Sequence, residues 1–303
     1  MCFCALHTVV DGPGTDQLFR FWAEHMSQRP TPTLANNQRT LLPQSLSTSI
    51  PALSKTPLSS LLTLHPEFTT TSRPPQPLLP PCTTKVLQTP LSQLTALKTR
   101  LTTHTHSKPT TNTLLTALLW SAVTRARRHR NPDHQQHTTR LMTAVDGRRH
   151  LDYWGNLVWH CVAELPPSFF SPDTSDLASL EAVCDAVAAS TARAREEGWA
   201  HFAETHCLVE RAGDYRRLRY AWDGGLFVSS WANMGVYGVE FGAGLGRPEA
   251  VRVRHRAGDG FCVILPRRRG GGEEEVLEAV LGLREDHLEA LGRDDVWRGL
   301  QCC

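Results

Sequence analysis

Apolar positions along the chain fall into runs of two periods, and each run predicts one element. The short run Cys2-Phe3-Cys4-Ala5-Leu6 ends at His7, and the chain then turns through Gly12-Pro13-Gly14, which predicts a buried strand ending at the histidine. Residues 16–26 carry Leu18, Phe21 or Trp22, and His25 or Met26 at helical spacing, with Asp16 near the start. Leu91, Leu94, Leu97 and Leu101 repeat at helix period, with Thr89 as N-cap and Pro90 in the first helical position. From Thr111 the chain is apolar nearly all round, through Leu114, Leu115, Leu118, Leu119, Trp120 and Val123. That marks a central buried helix whose arginine-rich end, Arg125 to Arg130, emerges into solvent. Residues 141–146, 153–162 and 226–231 read as strands. Residues 251–256 and 261–265 read as a β-hairpin around Gly258-Asp259-Gly260. Leu177, Leu180, Cys184 and Val187 give an amphipathic helix over 176–197, residues 275–283 fit strand or helix, and a terminal helix covers 284–291. The mixture predicts an α/β or layered α+β fold.

Between these blocks, residues 30–90 hold twelve of the twenty prolines amid Thr, Ser and Leu. Proline removes backbone donors and blocks helices, so this stretch predicts a long crossover with short pieces docked on the surface. The expected organisation is a segment of an amino-terminal domain at 1–29, a crossover at 30–88 and a carboxy-terminal domain at 89–303.

Composition narrows the class. With 303 residues, 40% of them hydrophobic, the chain can fill a sizeable core. Thirty-two basic residues against thirty acidic leave a charge of +2, which favours neither nucleic acid nor an anionic membrane. The nine cysteines lack zinc-site spacing, and the pairs His104/His106 and His134/His137 sit in polar surroundings, so no metal is expected. No run approaches the ~18 apolar residues of a spanning helix, and with reduced thiols the expected location is the cytosol.

Chemistry enters at His7. A neutral imidazole with pKa near ~6.5 can take a proton from an alcohol or amine and return it to a leaving group, although the residues alone fit a strand-end histidine satisfied by backbone better. Asp11, four residues on, can fix the local backbone or bind a basic side chain.

Four stretches, in order and in rough spacing, resemble the BAHD acyltransferases, in particular their fungal branch of trichothecene 3-O-acetyltransferase type. They are His7-Thr8-Val9-Val10-Asp11-Gly12; Thr111-Asn112-Thr113 through Trp120 and Arg125-Ala126-Arg127; Asp146-Gly147-Arg148 with Tyr153-Trp154-Gly155-Asn156; and Ser229-Ser230-Trp231 through Glu240-Phe241-Gly242-Ala243-Gly244 to Pro248. The resemblance implies a chloramphenicol-acetyltransferase-like pair of domains with a channel between them, here with the amino-terminal domain incomplete and an exposed edge suited to self-association. It implies acyl-coenzyme A as co-substrate, a small hydroxylated or aminated secondary metabolite as acceptor, and no permanently bound cofactor. His7 matches the general base and Asp11 the aspartate that shapes the turn. Ser229 and Trp231 match the position that donates to the oxyanion, although a strand-turn serine and a packing tryptophan fit them equally. Glu240, Gly242 and Gly244 match a structural motif whose acid pairs with the arginine at Arg148. The glycines do not form a dinucleotide loop, because Arg247-Pro248 follows them in place of an apolar helix. A non-catalytic remnant that binds coenzyme A or a protein partner is the alternative. A condensation domain ranks third, since Leu6 stands where its usual second histidine would be.

Overall fold

In the computed structural model the period-two runs pair into one six-stranded mixed sheet, and the apolar helices cover one of its faces. The structure describes residues 2–29, 38, 50–71, 81–105, 107–130, 138–148, 151, 153–173, 176–196, 198–221, 225–253, 258–269 and 274–300. His106, His134, His137, residues 254–256, Cys302 and Cys303 therefore lie outside the described residues.

The sheet order is β2 (Cys82–Pro90), β8 (Val276–Arg284), β7 (Phe261–Ile264), β6 (Leu226–Ser230), β3 (Thr139–Asp146), β4 (Val158–Leu165). β6 lies parallel to both neighbours, with Leu141 opposite Leu226 and Ser229 opposite Val263; the other pairs are antiparallel. Because strand side chains alternate, Leu141, Ala163, Leu226, Val228, Cys262 and Ile264 share one face. That face packs on α4 (Leu91–His104), α5 (Thr111–Arg130), α6 (Leu177–Glu196), α8 (Glu285–Leu291) and α9 (Asp295–Arg298) in the main core. α5 runs through its centre, and Trp120, fully buried, spends its indole N–H on Thr139 at 3.1 Å. Each such large apolar side chain contributes about 1.5–3 kcal/mol by leaving water. The opposite face carries Met142, His160, Phe227, Ser229 and Val263, and α1 (Gly12–Met26) lies at its edge.

Several elements differ from the sequence reading. Residues 2–6 form no strand: they pair with no strand among the described residues, Phe3 packs edge-on against Phe19, and Leu6 is 73% exposed. A strand needs a neighbour for its N–H and C=O groups, so the predicted edge at this position is absent. The strand at 82–90 lies within the stretch read as crossover, and its nine-residue ladder with β8 places it in the sheet. Pro90, not Thr89, is the N-cap of α4. Residues 153–157 wrap around Arg148, and the strand begins only at Val158. Residues 251–253 are not strand; the antiparallel partner of β7 is β8, which makes the ambiguous stretch a strand from Val276. Helix α7 (Gly198–Ala212) had no prediction. On it dock α2 (Ile50–Leu53), α3 (Leu58–Leu64) and the two-residue pair β1 (Phe68–Thr69) with β5 (Arg219–Tyr220), around Leu61, Cys207 and Leu208.

The basic end of α5 is not a solvated run. Arg125 makes a fork to Asp294 at 2.6 and 2.9 Å, Arg127 reaches Asp259 at 3.2 Å and the Gly225 carbonyl at 2.9 Å, and Arg128 binds the Pro167 carbonyl at 2.8 Å. Three half-buried arginine side chains tether the helix end to four separate segments of the chain. The cysteines at 2, 4, 82, 161, 184, 207 and 262 are free thiols. Burial pushes those of Cys161, Cys184 and Cys262 up to about 12, so none of these three is a nucleophile at neutral pH.

Candidate active site

The turn that carries His7 is built backwards from Asp11. Asp11 is the N-cap of α1: its backbone is extended, and its carboxylate accepts from Gly14 N at 3.2 Å, with Pro13 in the first turn where no donor is lost. The same carboxylate, only 4% exposed, accepts from Arg148 Nη2 at 2.6 Å and from the Leu157 backbone N–H at 2.8 Å. Asp11 therefore does both things that the sequence allowed it.

Arg148 distributes its donors without waste. Nη1 and the backbone N–H go to Asp146 at 2.7 and 3.1 Å, Nε to the Tyr153 carbonyl at 2.6 Å, and Nη2 also to the Gly155 carbonyl. Burial disfavours the cation, but the hydrogen bonds and charges of Asp11 and Asp146 outweigh that and raise its pKa. The predicted pairing with Glu240 does not occur. Glu240 meets the exposed Arg29 at 3.7 Å instead, because Asp11 already occupies the guanidinium that a longer acid would need.

Asn156 completes the clamp by donating to the His7 carbonyl at 2.7 Å. Two stretches far apart in sequence, 7–14 and 146–157, thus form one unit. The His7 imidazole is exposed and makes no hydrogen bond among the described residues. Gly14 is required by close approach: a Cβ there would collide with the Trp154 carbonyl and come within 2.6 Å of Val10 Cγ2. Gly14→Ala is expected to lower stability by about 1–3 kcal/mol, the usual effect of overpacking, read as a reduced urea midpoint at unchanged slope.

Trp231 lies just past β6, against the first turn of α1, where a Cβ on Gly12 would be 3.2 Å from its Nε1. Its ring also packs with Val263, Leu265 and Val280, so it does serve as packing. Among the described residues its indole N–H has no acceptor. Ser229, two residues back, shares the face that α1 borders and is half-buried. Its neighbour Ser230 is spoken for, donating to Asn112 at 2.6 Å.

The Glu240 to Gly244 stretch lies at the far end of α1. Ser27 donates to the Glu240 carbonyl at 3.0 Å, and Phe241 meets Trp22 edge-on with ring centroids 5.8 Å apart. Gly242, at φ +78°, adopts a conformation that other residues avoid and faces the Met26 carbonyl. A Cβ at Gly244 would meet open space.

Sequence reasoning missed His160. It lies on the same open face of β4, bonded through Nδ1 to Tyr220 Oη at 3.2 Å and packed on Phe227. Burial, opposed by Glu67 and reinforced by His201 and His7, pushes its pKa down to about 4. The folded chain then holds a neutral imidazole, whereas the unfolded chain takes up the proton near pH ~6.5. Between those values the unfolded state binds more protons, so stability falls as pH drops through the window. Urea titrations at neutral pH and near pH ~4.5 are expected to show a smaller loss in His160→Gln than in the parent chain. Equal losses would mean that His160 is not the group responsible.

Comparison with known proteins extends this geometry. A model described as Transferase family matches residues 1–295. Eremophilane O-acetyltransferase ORF8 of Penicillium roqueforti is 28% identical over 195 residues, covering 61% of this chain and 39% of the relative. Trichothecene 3-O-acetyltransferase of Saccharomyces cerevisiae is 30% identical over 202 residues, 62% of this chain and 39% of the relative. The crystal structure of F. graminearum TRI101 complexed with coenzyme A and T-2 mycotoxin superposes with a TM-score of 0.77 at 19% identity, over 96% of this chain and 64% of that one. The chain therefore spans less than half the length of these two curated relatives and under two thirds of that structure. Its fold is the mixed α/β fold of those acyltransferases, and with a family match through residues 1–295 the chain belongs to the Transferase family, the BAHD-type acyltransferases, in their fungal branch.

Proposed function

We propose that the chain transfers an acyl group from acyl-coenzyme A to a hydroxyl of a small secondary metabolite, with His7 as general base. The observation that carries this reading is the buried Asp11–Arg148 pair, which holds the histidine turn against residues 153–157 and leaves the imidazole open to solutes. The relatives named above act on eremophilane and trichothecene skeletons, so an alcohol of that kind is the acceptor to test first.

The step balances without an acyl-enzyme. His7 takes the hydroxyl proton as the oxygen attacks the thioester carbonyl, and the tetrahedral oxyanion collapses with cleavage of the C–S bond. The coenzyme A thiolate then leaves with the proton from His7. The Trp231 indole N–H, and with it the Ser229 hydroxyl, supply donors toward the oxyanion. The Glu240–Gly244 stretch has no reacting group in this reading; it buttresses the end of α1. The cytosol, where the acyl thioester is available, is the proposed location, with residues 89–303 as the principal acyltransferase domain. Among the described residues no helix is long and apolar enough to cross a membrane.

Trp231→Phe keeps the packing and removes the N–H. Transfer is expected to fall by about 10²–10³ in kcat if the donor acts on the oxyanion. The assay follows free thiol release from acetyl-coenzyme A in the presence of a hydroxylated eremophilane or trichothecene. A variant with unchanged kcat would leave Trp231 as packing alone, and no acceptor-dependent thiol release from the parent chain would refute the activity.

A further inference from the structure

We propose that His65, Glu67 and His201 bind one divalent transition-metal ion, zinc by the chemistry of its donors, and that the ion staples residues 58–69 to helix α7. Their ligand atoms converge: all lie within 4.8 Å of one another. His65 Nδ1 is 3.0 Å from Glu67 Oε1, and His201 Nε2 is 3.5 Å from the same oxygen. Zinc bonds of about 2.0–2.1 Å in tetrahedral geometry put neighbouring donors about 3.3 Å apart, between those two separations. Two imidazoles and one carboxylate suit zinc, cobalt or nickel, whereas calcium and magnesium prefer oxygen alone.

The surroundings are those of a ligand set. His65 and Glu67 are 1% and 3% exposed, and His65 Nε2 lies 3.0 Å from Glu204 Oε2. A carboxylate on the far ring nitrogen fixes the proton there and turns the other lone pair toward the metal. A neutral imidazole has one N–H for these two carboxylates; given to Glu204, it leaves His65 Nδ1 and Glu67 Oε1 as two acceptors facing each other, and a cation between them resolves the conflict. Two carboxylates, Glu67 and Glu204, balance a divalent charge. Glu204 and His201 lie one turn apart on α7, so that helix supplies both a ligand and the group that orients the other histidine. Among the described residues the rest of the attachment is a two-residue strand pair with Phe68 stacked on Tyr220, the Ala221 N–H donated to the Glu67 carbonyl at 2.7 Å, and the Leu61–Leu208 cluster.

The competing account is a doubly protonated His65 bridging the two glutamates, and metal binding separates the two. The whole chain is stripped with chelator and titrated with ZnCl2 under equilibrium dialysis, then with CoCl2 under visible spectroscopy. One zinc per chain, the absorption of four-coordinate cobalt and a rise in melting temperature on adding ZnCl2 are expected. His201→Gln removes the most accessible ligand and leaves the His65 bridge intact. It is expected to keep the far-ultraviolet spectrum and lose the cobalt signal. Glu204→Gln is expected to weaken zinc by about 10–100-fold. Substoichiometric zinc in the parent chain, or zinc binding unaltered by His201→Gln, would overturn the site and leave the imidazolium bridge as its explanation.

Discussion

Arg148→Met is expected to cost about 3–5 kcal/mol of stability, the typical effect of removing one partner from a buried ion pair. The reason is specific to this turn. Methionine matches the stem but offers none of the donors that Asp11, the Tyr153 and Gly155 carbonyls and Asp146 now use. Asp11 would keep its two backbone donors and lose its counter-charge while 4% exposed. Arg148→Lys retains the charge but not the planar fork, and so should recover only part of the loss. Chemical denaturation gives the three values on one scale. A Met variant within 1 kcal/mol of the parent chain would show that the pair does not hold the turn. Because the clamp ends at the His7 carbonyl, the same variant should lose transfer at temperatures where it is still folded.

His7→Ala should do the reverse. His7 is exposed and its ring has no partner among the described residues, so stability should change by no more than about 0.5 kcal/mol, as for other surface positions. Transfer should fall by about 10²–10⁴, the usual contribution of a positioned general base. The contrast between the two variants is the informative part: one breaks the scaffold, the other only the chemistry. Residual transfer above a tenth of the parent rate in a folded His7→Ala chain would assign proton removal elsewhere. His160, neutral and on the adjoining sheet face, would then be the next candidate.

What the sequence disclosed divides along physical lines. Apolar period alone located α1, α5, α6, β3 and β6, because burial of one face or of the whole element decides those segments. It misplaced what depends on a partner distant in sequence. Residues 2–6 have strand composition but no strand beside them, whereas 82–90 look like linker and become strand because β8 lies alongside. The arginines at 125, 127 and 128 read as solvated, since their acceptors Asp294, Asp259 and the Pro167 carbonyl come from remote loops. The same limit explains the site. The spacing of His7 and Asp11 also fits a strand-end histidine, and their roles rest on the resemblance; the same resemblance assigned Arg148 to Glu240, and the structure gives it to Asp11. His65, Glu67 and His201 lie too far apart in the chain to form a spacing pattern, and only folding brings them together.

Direct transfer through His7 is tested by following the acyl group itself. The parent chain and His7→Ala are incubated with acetyl-coenzyme A labelled in its acetyl group and a hydroxylated eremophilane or trichothecene, then quenched in acid. Label is expected in the acceptor ester for the parent chain, none on protein at any time, and almost none in the ester for His7→Ala. Label accumulating on the protein, or an ester yield that does not depend on His7, would contradict direct transfer through His7.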